Sequence, residues 1–265
     1  MASAADGWKD VWNPDLYGRF REERSRPFFD LLALVQPVPD MRVVDLGCGA
    51  GSLTAEAHRR LAARETLGID SSAAMLERAA LLARSGLSFR LDDIATFGPT
   101  PPGAWDLILS NAALQWLPDH PGLLGRIASA LPLGGQLAVQ VPANQDHPSH
   151  RLAHGLAREE PFAEALGGYS RGKPVLDPEE YSVLLRRIGF REQHVRLQVY
   201  LHELGSAAEV FEWVRGTLLT DYERRLPPEL WGRYLGAYRE RLLATLPGGR
   251  PYLYTYKRVL FWARR

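Results

Sequence analysis

Hydrophobic positions in the first half of this chain fall into short runs, each followed by a stretch with helical spacing. Residues 42–46 read as a first strand and 53–61 as the helix behind it. Residues 66–69 give a second strand and 75–83 a second helix. A short third strand over 87–90 precedes a loop marked by Pro99, Pro101, Pro102 and Gly103. Residues 105–110 give a fourth strand, 121–131 a helix closed off by Gly134 and Gly135, and 136–141 a fifth strand. Strands that alternate with helices predict a parallel, doubly wound α/β sheet with right-handed crossovers. Ligands of such sheets bind beyond the carboxyl ends of the strands. Asp45, Asp70, Asp93 and Asn111 each follow a predicted strand, so the fold is expected to bring them to one edge.

Residues 8–35 read as helical, with Pro37 and Pro39 as punctuation. The second half is less regular. Residues 147–160 and 178–188 look helical and 191–201 looks like a strand. Residues 206–225 and 229–246 look helical and fairly polar. Residues 252–263 alternate aromatics with other residues and give a final strand. The late pair brings the expected sheet to seven strands. One domain is expected over 1–265: a helical cap at 1–40, a core at 41–145, a lid and substrate region with a late strand at 146–250, and the final strand at 251–265. The chain has no internal repeat and no low-complexity tract.

The densest local signal follows the first strand. Val43-Val44-Asp45-Leu46 runs into Gly47-Cys48-Gly49-Ala50-Gly51, and Ser52-Leu53-Thr54 then opens a helix. Glycines at every second position allow positive φ and let a ligand lie on the backbone. The spacing differs from the G-x-G-x-x-G of dinucleotide folds, which face a pyrophosphate. An acid two residues before the first glycine repels phosphate and suits an ammonium group. A second strand ends in Asp70, where a carboxylate can accept both hydroxyls of a ribose; a helix cap is the alternative reading. After strand three, Asp92 and Asp93 read as solvated loop acids or as a site; the resemblance drawn below selects Asp93 to accept from an adenine amino group, with Ile94 packing on the ring. Met75, on the second helix, can flank the adenine or belong to the core.

Composition narrows the class. The chain has 265 residues, 46% hydrophobic and 24% charged, ordinary values for a globular protein with a sizeable core. A net charge of +1 supplies no global field toward nucleic acid or anionic membrane. The lone Cys48 excludes an intrachain disulfide, and no Cys/His zinc spacing is present. No apolar stretch approaches the ~20 residues of a membrane span, and residues 1–10 carry no signal-peptide pattern. A cytoplasmic protein, monomeric or weakly oligomeric, is the expectation.

The acid and three glycines resemble motif I of class I S-adenosylmethionine (SAM) methyltransferases. The late strand pair with helices inserted between them resembles the same pattern, in which the insert forms a lid. The resemblance implies SAM as cofactor, held by Asp45, Gly47, Gly49, Gly51, Asp70, Ser71, Met75, Asp93, Ile94 and Asn111. In these enzymes the loop after strand four passes beneath the methyl donor. Here it reads Ser110-Asn111-Ala112-Ala113-Leu114-Gln115-Trp116, without the prolines of base methylases or the paired glutamates of protein-arginine methylases. Gln115 and Trp116 suggest an amide and an indole lining a small-molecule pocket.

A narrower resemblance rests on Trp12-Asn13-Pro14-Asp15-Leu16-Tyr17, Phe20, Glu23-Arg24-Ser25-Arg26-Pro27, Gly68-Ile69-Asp70-Ser71-Ser72, Leu114-Gln115-Trp116-Leu117-Pro118-Asp119-His120, and the ending Arg258-Val259-Leu260-Phe261-Trp262-Ala263-Arg264-Arg265. Together they resemble the bacterial trans-aconitate 2-methyltransferases, densely as far as Val141 and less well over 160–172 and 220–223. That family methylates a carboxylate of a small polycarboxylic acid. A carboxylate is already ionised at neutral pH, so no catalytic base or metal is expected. In insect carboxyl methyltransferases of similar fold, a glutamine and a tryptophan hold the acceptor. Arg24 takes that glutamine's place, which suits a more highly charged acid. Tyr17, Arg24, Gln115 and Trp116 are therefore the expected substrate residues, with Arg26 and Arg258 in reserve. Another small acid, a secondary metabolite, or SAM binding without turnover are the alternatives; the glycine spacing speaks against a nicotinamide oxidoreductase.

Overall fold

The computed structural model describes residues 21–98, 103–169 and 175–265, with side chains from residue 25 onward. Seven strands are present among them: β1 Arg42–Leu46, β2 Glu65–Asp70, β3 Leu87–Leu91, β4 Leu107–Asn111, β5 Gln136–Pro142, β6 Glu192–Leu204 and β7 Tyr252–Arg264. They form one sheet in the order β3-β2-β1-β4-β5-β7-β6. The first five are parallel, and β7 runs antiparallel to both of its neighbours. β1 and β5 are buried along nearly their whole length, which is why each reads as an apolar run. From β1 the chain winds outward to β3, then returns to β4 on the other side of β1. The crevice where the order reverses lies beyond the carboxyl ends of β1 and β4, the usual ligand position of such sheets.

Helices cover both faces. α1 (Arg21–Leu32) and α2 (Ser52–Arg60) pack on one, where Phe28, Leu31 and Ala57 meet Val43, Leu109, Ala138 and Leu260. After α3 (Ala73–Ala80), α4 (His120–Ser129) and the later α7 (Pro178–Arg187) cover the other. There Leu123, Ile127, Tyr181 and Leu185 meet Val44, Ile108, Val139 and Phe261. α7 begins with a proline in its first turn and a capping box between Asp177 and Glu180, satisfying donors that would otherwise be orphaned.

β6 and β7 pair over their full length, from Glu192 opposite Arg264 to Leu204 opposite Tyr252. β5 reaches only as far as Arg258, so the far part of this hairpin projects past the parallel strands. On it rest α5 (Pro148–Leu156), α6 (Phe162–Ala165), α8 (Ala208–Arg215), α9 (Thr220–Glu223) and α10 (Pro228–Thr245), around Trp213, Tyr222, Tyr234, Tyr238, Tyr254 and Tyr256.

Two expectations need correction. The helix expected over 206–225 is two, because Gly216 ends α8 and the Thr217 hydroxyl turns back onto the carbonyls of Trp213 and Val214. The polar look of 206–246 hides a second core. Tyrosine supplies its bulk, and the hydroxyls of Tyr234 and Tyr238 are satisfied by the α5 carbonyls of Ala153 and Ser149, at 2.7 and 2.8 Å.

Candidate functional site

The turn after β1 is built around Asp70. The backbone N–H groups of Gly47 and Cys48 both donate to the Ile69 carbonyl, at 2.8 and 2.9 Å. Gly49 N–H donates to Asp70 Oδ2 at 2.8 Å, and Ser72 N–H to Asp70 Oδ1 at 2.9 Å. The helix-cap reading of Asp70 goes instead to Ser72, whose hydroxyl accepts from Met75 N–H at 3.3 Å. The carboxylate thus braces the glycine turn with both oxygens. Burial raises its pKa, and the backbone donors oppose the shift.

The three glycines do different work. Gly47 has φ +80, and a Cβ there would lie 2.3 Å from Cβ of Ala113, so it presses the turn against the loop after β4. A Cβ on Gly51 would strike the Phe89 ring at 2.7 Å. At Gly49, with φ +54, no heavy atom stands within 4 Å of such a Cβ. That is the point where a ligand can lie on the backbone.

Leu46 still pairs with Ile69, and Asp45 lies inside β1, as the strand read over 42–46 has it, rather than after it. Its side chain is buried on the α2 side, where Thr54 donates to Oδ2 at 2.6 Å. Oδ1 is buried with no hydrogen-bond partner. Loss of solvation raises this carboxyl from 3.8 to about 7, with the Thr54 bond opposing and Asp70 adding to the shift. The Cys48 thiol beside it is also pushed up by burial, so it stays protonated.

Met75 is buried on α3, while Ser71 is exposed between Asp70 and that helix. Asp93 is exposed and caps a short 3-10 turn, Ile94–Thr96, by accepting from Ala95 N–H at 2.8 Å. Ile94 reaches to 3.3 Å from a Cβ placed on Gly47. Asn111 ends β4, and its Oδ1 is buried without a partner. Ala112 follows with φ 54, a left-handed conformation rare for alanine, held by its N–H donating to the Gln140 carbonyl at 2.9 Å. Gln115 is buried, and its Nε2 donates to the Ala112 carbonyl at 2.7 Å. Part of the expected pocket amide therefore holds its own loop. Trp116 is half-buried in the same 3-10 turn, Leu114–Trp116. Tyr17 lies outside the described residues; Arg24 is in α1, with its side chain outside them.

Sequence comparison matches a methyltransferase domain to residues 17–195. A trans-aconitate 2-methyltransferase of Deinococcus radiodurans is 45% identical over 96% of this chain and 98% of its own. The chain belongs to the methyltransferase family. An enzyme of the same name from Methylobacterium radiotolerans is 42% identical over 96% of this chain and 98% of its own. Among solved structures, the YcgJ protein of Bacillus subtilis superposes with a TM-score of 0.59 at 15% identity, covering 91% of this chain and 98% of that one. A phosphoethanolamine N-methyltransferase of Haemonchus contortus, solved with S-adenosylhomocysteine, gives 0.53 at 16% identity over 91% and 52%. At such identities these two establish the fold alone.

One feature of this methyltransferase escapes a strand-by-strand reading. Asp45 registers with Leu109, Asn111 with Gln140, and Gln140 with Leu260, two residues from Arg258. Since side chains alternate along a strand, Asp45, Asn111, Gln140 and Arg258 share one face, the face under α1. Each has a buried polar atom without a partner among the described residues: Oδ1, Oδ1, Nε2 and Nε respectively. Gln140 was missed as a site candidate. Its signal was a polar residue at an inward position between the apolar Val139 and Val141.

Proposed function

We propose that this methyltransferase uses SAM to convert one carboxylate of trans-aconitate to a methyl ester. What carries the reading is the run of unpartnered polar atoms along one sheet face, acidic at the glycine turn and cationic at β7, in a chain 45% identical to a relative bearing that name. The residues present fit the cofactor. Asp45 Oδ1 is a buried acceptor awaiting a cation, and the space off Gly49 admits a ligand against the backbone. When bound, SAM supplies an electrophilic methyl group on a sulfonium.

In this reading Asp45 and the Gly47, Gly49 and Gly51 turn take the amino-acid end. Asp70, with Ser71 beside it, takes the ribose hydroxyls through lone pairs that its backbone bonds leave open. Asp93, Ile94 and Met75 surround the adenine, and Asn111 stands under the reacting centre. Tyr17, Arg24, Gln115 and Trp116 hold the acceptor. The chain supplies position rather than proton transfer, since the acceptor oxygen already bears its lone pairs and charge. Fixing donor and acceptor in line is worth ~7–11 kcal/mol of barrier. The unit over 1–265 works as one domain, with 146–250 as lid and substrate region carrying a late strand, on a free acid in the cytoplasm. It acts as a monomer or weak oligomer, without nucleic acid or membrane.

The test is turnover of SAM to S-adenosylhomocysteine and a methyl ester with a panel of small acids, together with thermal shifts in SAM and NAD. Selective turnover of trans-aconitate and stabilisation by SAM alone are expected. Stabilisation without turnover of any acid would leave a binding protein, and preference for another acid would reassign the substrate.

A further inference from the structure

Arg258 is 5% exposed, yet among the described residues it has no carboxylate partner. Its Nη1 donates to Gln140 Oε1 at 3.2 Å, and its guanidinium lies 4.8 Å over the Tyr256 ring. Among the described residues Nε is buried with no partner, and so is Gln140 Nε2. Two idle donors therefore stand together beside Asn111, the register neighbour of Gln140 at the end of β4. A buried, uncompensated guanidinium is costly. The surroundings do not neutralise it. Arg196 donates to the Asp30 carbonyl and Arg26 stands 5.9 Å from the Tyr200 ring, while Asp30 is the one carboxylate in this group and is taken up by the Tyr200 hydroxyl.

We propose that Arg258, with Gln140 Nε2 beside it, is the anchor for a non-reacting carboxylate of the substrate, and so sets the preference for polycarboxylic over monocarboxylic acids. The inference rests on the proposed reaction and adds the residue that reads the acid's extra charge. Its place suits the role. β1 and β7 are three strands apart, about 14 Å at ~4.8 Å per strand, and Asp45 is level with Trp262, four residues or about 13 Å along β7 from Arg258 at ~3.3 Å per residue; the roughly 19 Å diagonal leaves length for the amino-acid end of the cofactor and a short polyacid end to end between Asp45 and Arg258. The acidic end attracts the ammonium and the cationic end the carboxylate, which fixes the order in which the two ligands lie.

The test uses Arg258→Met, which fills the same space without charge. Removing an unpaired buried charge should hold or raise the melting temperature of the ligand-free protein. KM for trans-aconitate should rise roughly tenfold or more, the effect of a lost charge-assisted bond. SAM affinity by calorimetry should stay near the parent value, and any turnover of monocarboxylates should be unaffected. A lower melting temperature, a parent-like KM, or equal losses on mono- and tricarboxylic acids would overturn the proposal. Gln140→Leu, which leaves the guanidinium in place, gives a second reading: KM for the polyacid should rise with SAM affinity kept, and an unchanged KM counts against the anchor. If the parent enzyme turns over no polyacid at all, it is the proposed reaction that fails, not this assignment.

Discussion

Thr54 holds Asp45 by one oxygen only: its hydroxyl donates to Oδ2 at 2.6 Å from the helix that follows the glycine turn, while Oδ1 faces no partner. This half-satisfied carboxyl is raised by burial to about 7. The folded protein without ligand thus retains a proton that the unfolded chain has released, in the window from about pH 4 to 7, and this group's contribution to stability declines as pH rises across it. An ammonium ligand needs the ionised form. SAM affinity should therefore weaken toward about tenfold per pH unit as pH falls below about 7, and level off above it. Asp45→Asn should bind SAM weakly and without that slope. Calorimetry between pH 5 and 7 checks this, and a parent slope of zero would remove Asp45 from the ammonium site.

Gly47 and Gly49 separate packing from access. In Gly47→Ala the new Cβ meets Ala113 at 2.3 Å, on a backbone already at φ +80. The loop after β4 must shift, and stability should fall by ~1–3 kcal/mol along with SAM affinity. Gly49→Ala has open space around its Cβ, so its stability cost should be limited to roughly 1–2 kcal/mol of left-handed strain, while SAM binding suffers more. Denaturant melts beside SAM titrations decide; equal stability losses with equal SAM affinities would mean that the space at Gly49 is not where the ligand lies.

On the proposed reading Asp70 has two duties, and its removal should show both. In Asp70→Ala the turn loses the acceptor for Gly49 and Ser72 N–H, and the cofactor should lose the partner proposed for its two ribose hydroxyls. A loss of roughly 2–3 kcal/mol in SAM binding is expected, beside a lower melting temperature. A folded variant with parent-like SAM affinity would confine Asp70 to bracing the turn.

The core of this fold was legible because its strands are buried on both faces. Val43-Val44-Asp45-Leu46 and Leu137-Ala138-Val139 are apolar runs that only a central strand accommodates, and glycines every second residue admit few readings. What stayed hidden depends on pairing across strands far apart in sequence. Nothing local to Gln140 says that it lies beside Asn111 and takes the bond from Arg258. The helices over 206–246 looked polar because tyrosines form their interior, and the hydroxyls of Tyr234 and Tyr238 find partners only after folding.

His120 bonds the loop after β4, and its geometry makes it a clamp rather than a base. Its Nε2 stands 2.8 Å from the Leu114 carbonyl, which can only accept, so this nitrogen carries the proton. Nδ1, 2.5 Å from the Tyr181 hydroxyl, then accepts from it. Both nitrogens are engaged, and burial lowers the imidazole's pKa. The unfolded chain takes up a proton below about pH 6.5 that the folded form resists, so this group's contribution to stability is lost as pH falls from there. Tyr181→Phe should cost about 1–3 kcal/mol by leaving Nδ1 buried and unpaired. At saturating SAM and acid, the single-turnover rate should be flat from about pH 6 to 8, since the acceptor carboxylate is ionised throughout. His120→Asn should lower stability and the rate without changing the shape of that profile, and His147 and His150 should prove dispensable for it. A limb near pH 6.5 in the parent that vanishes in any one of these histidine variants would identify a general base and replace positioning as the mechanism.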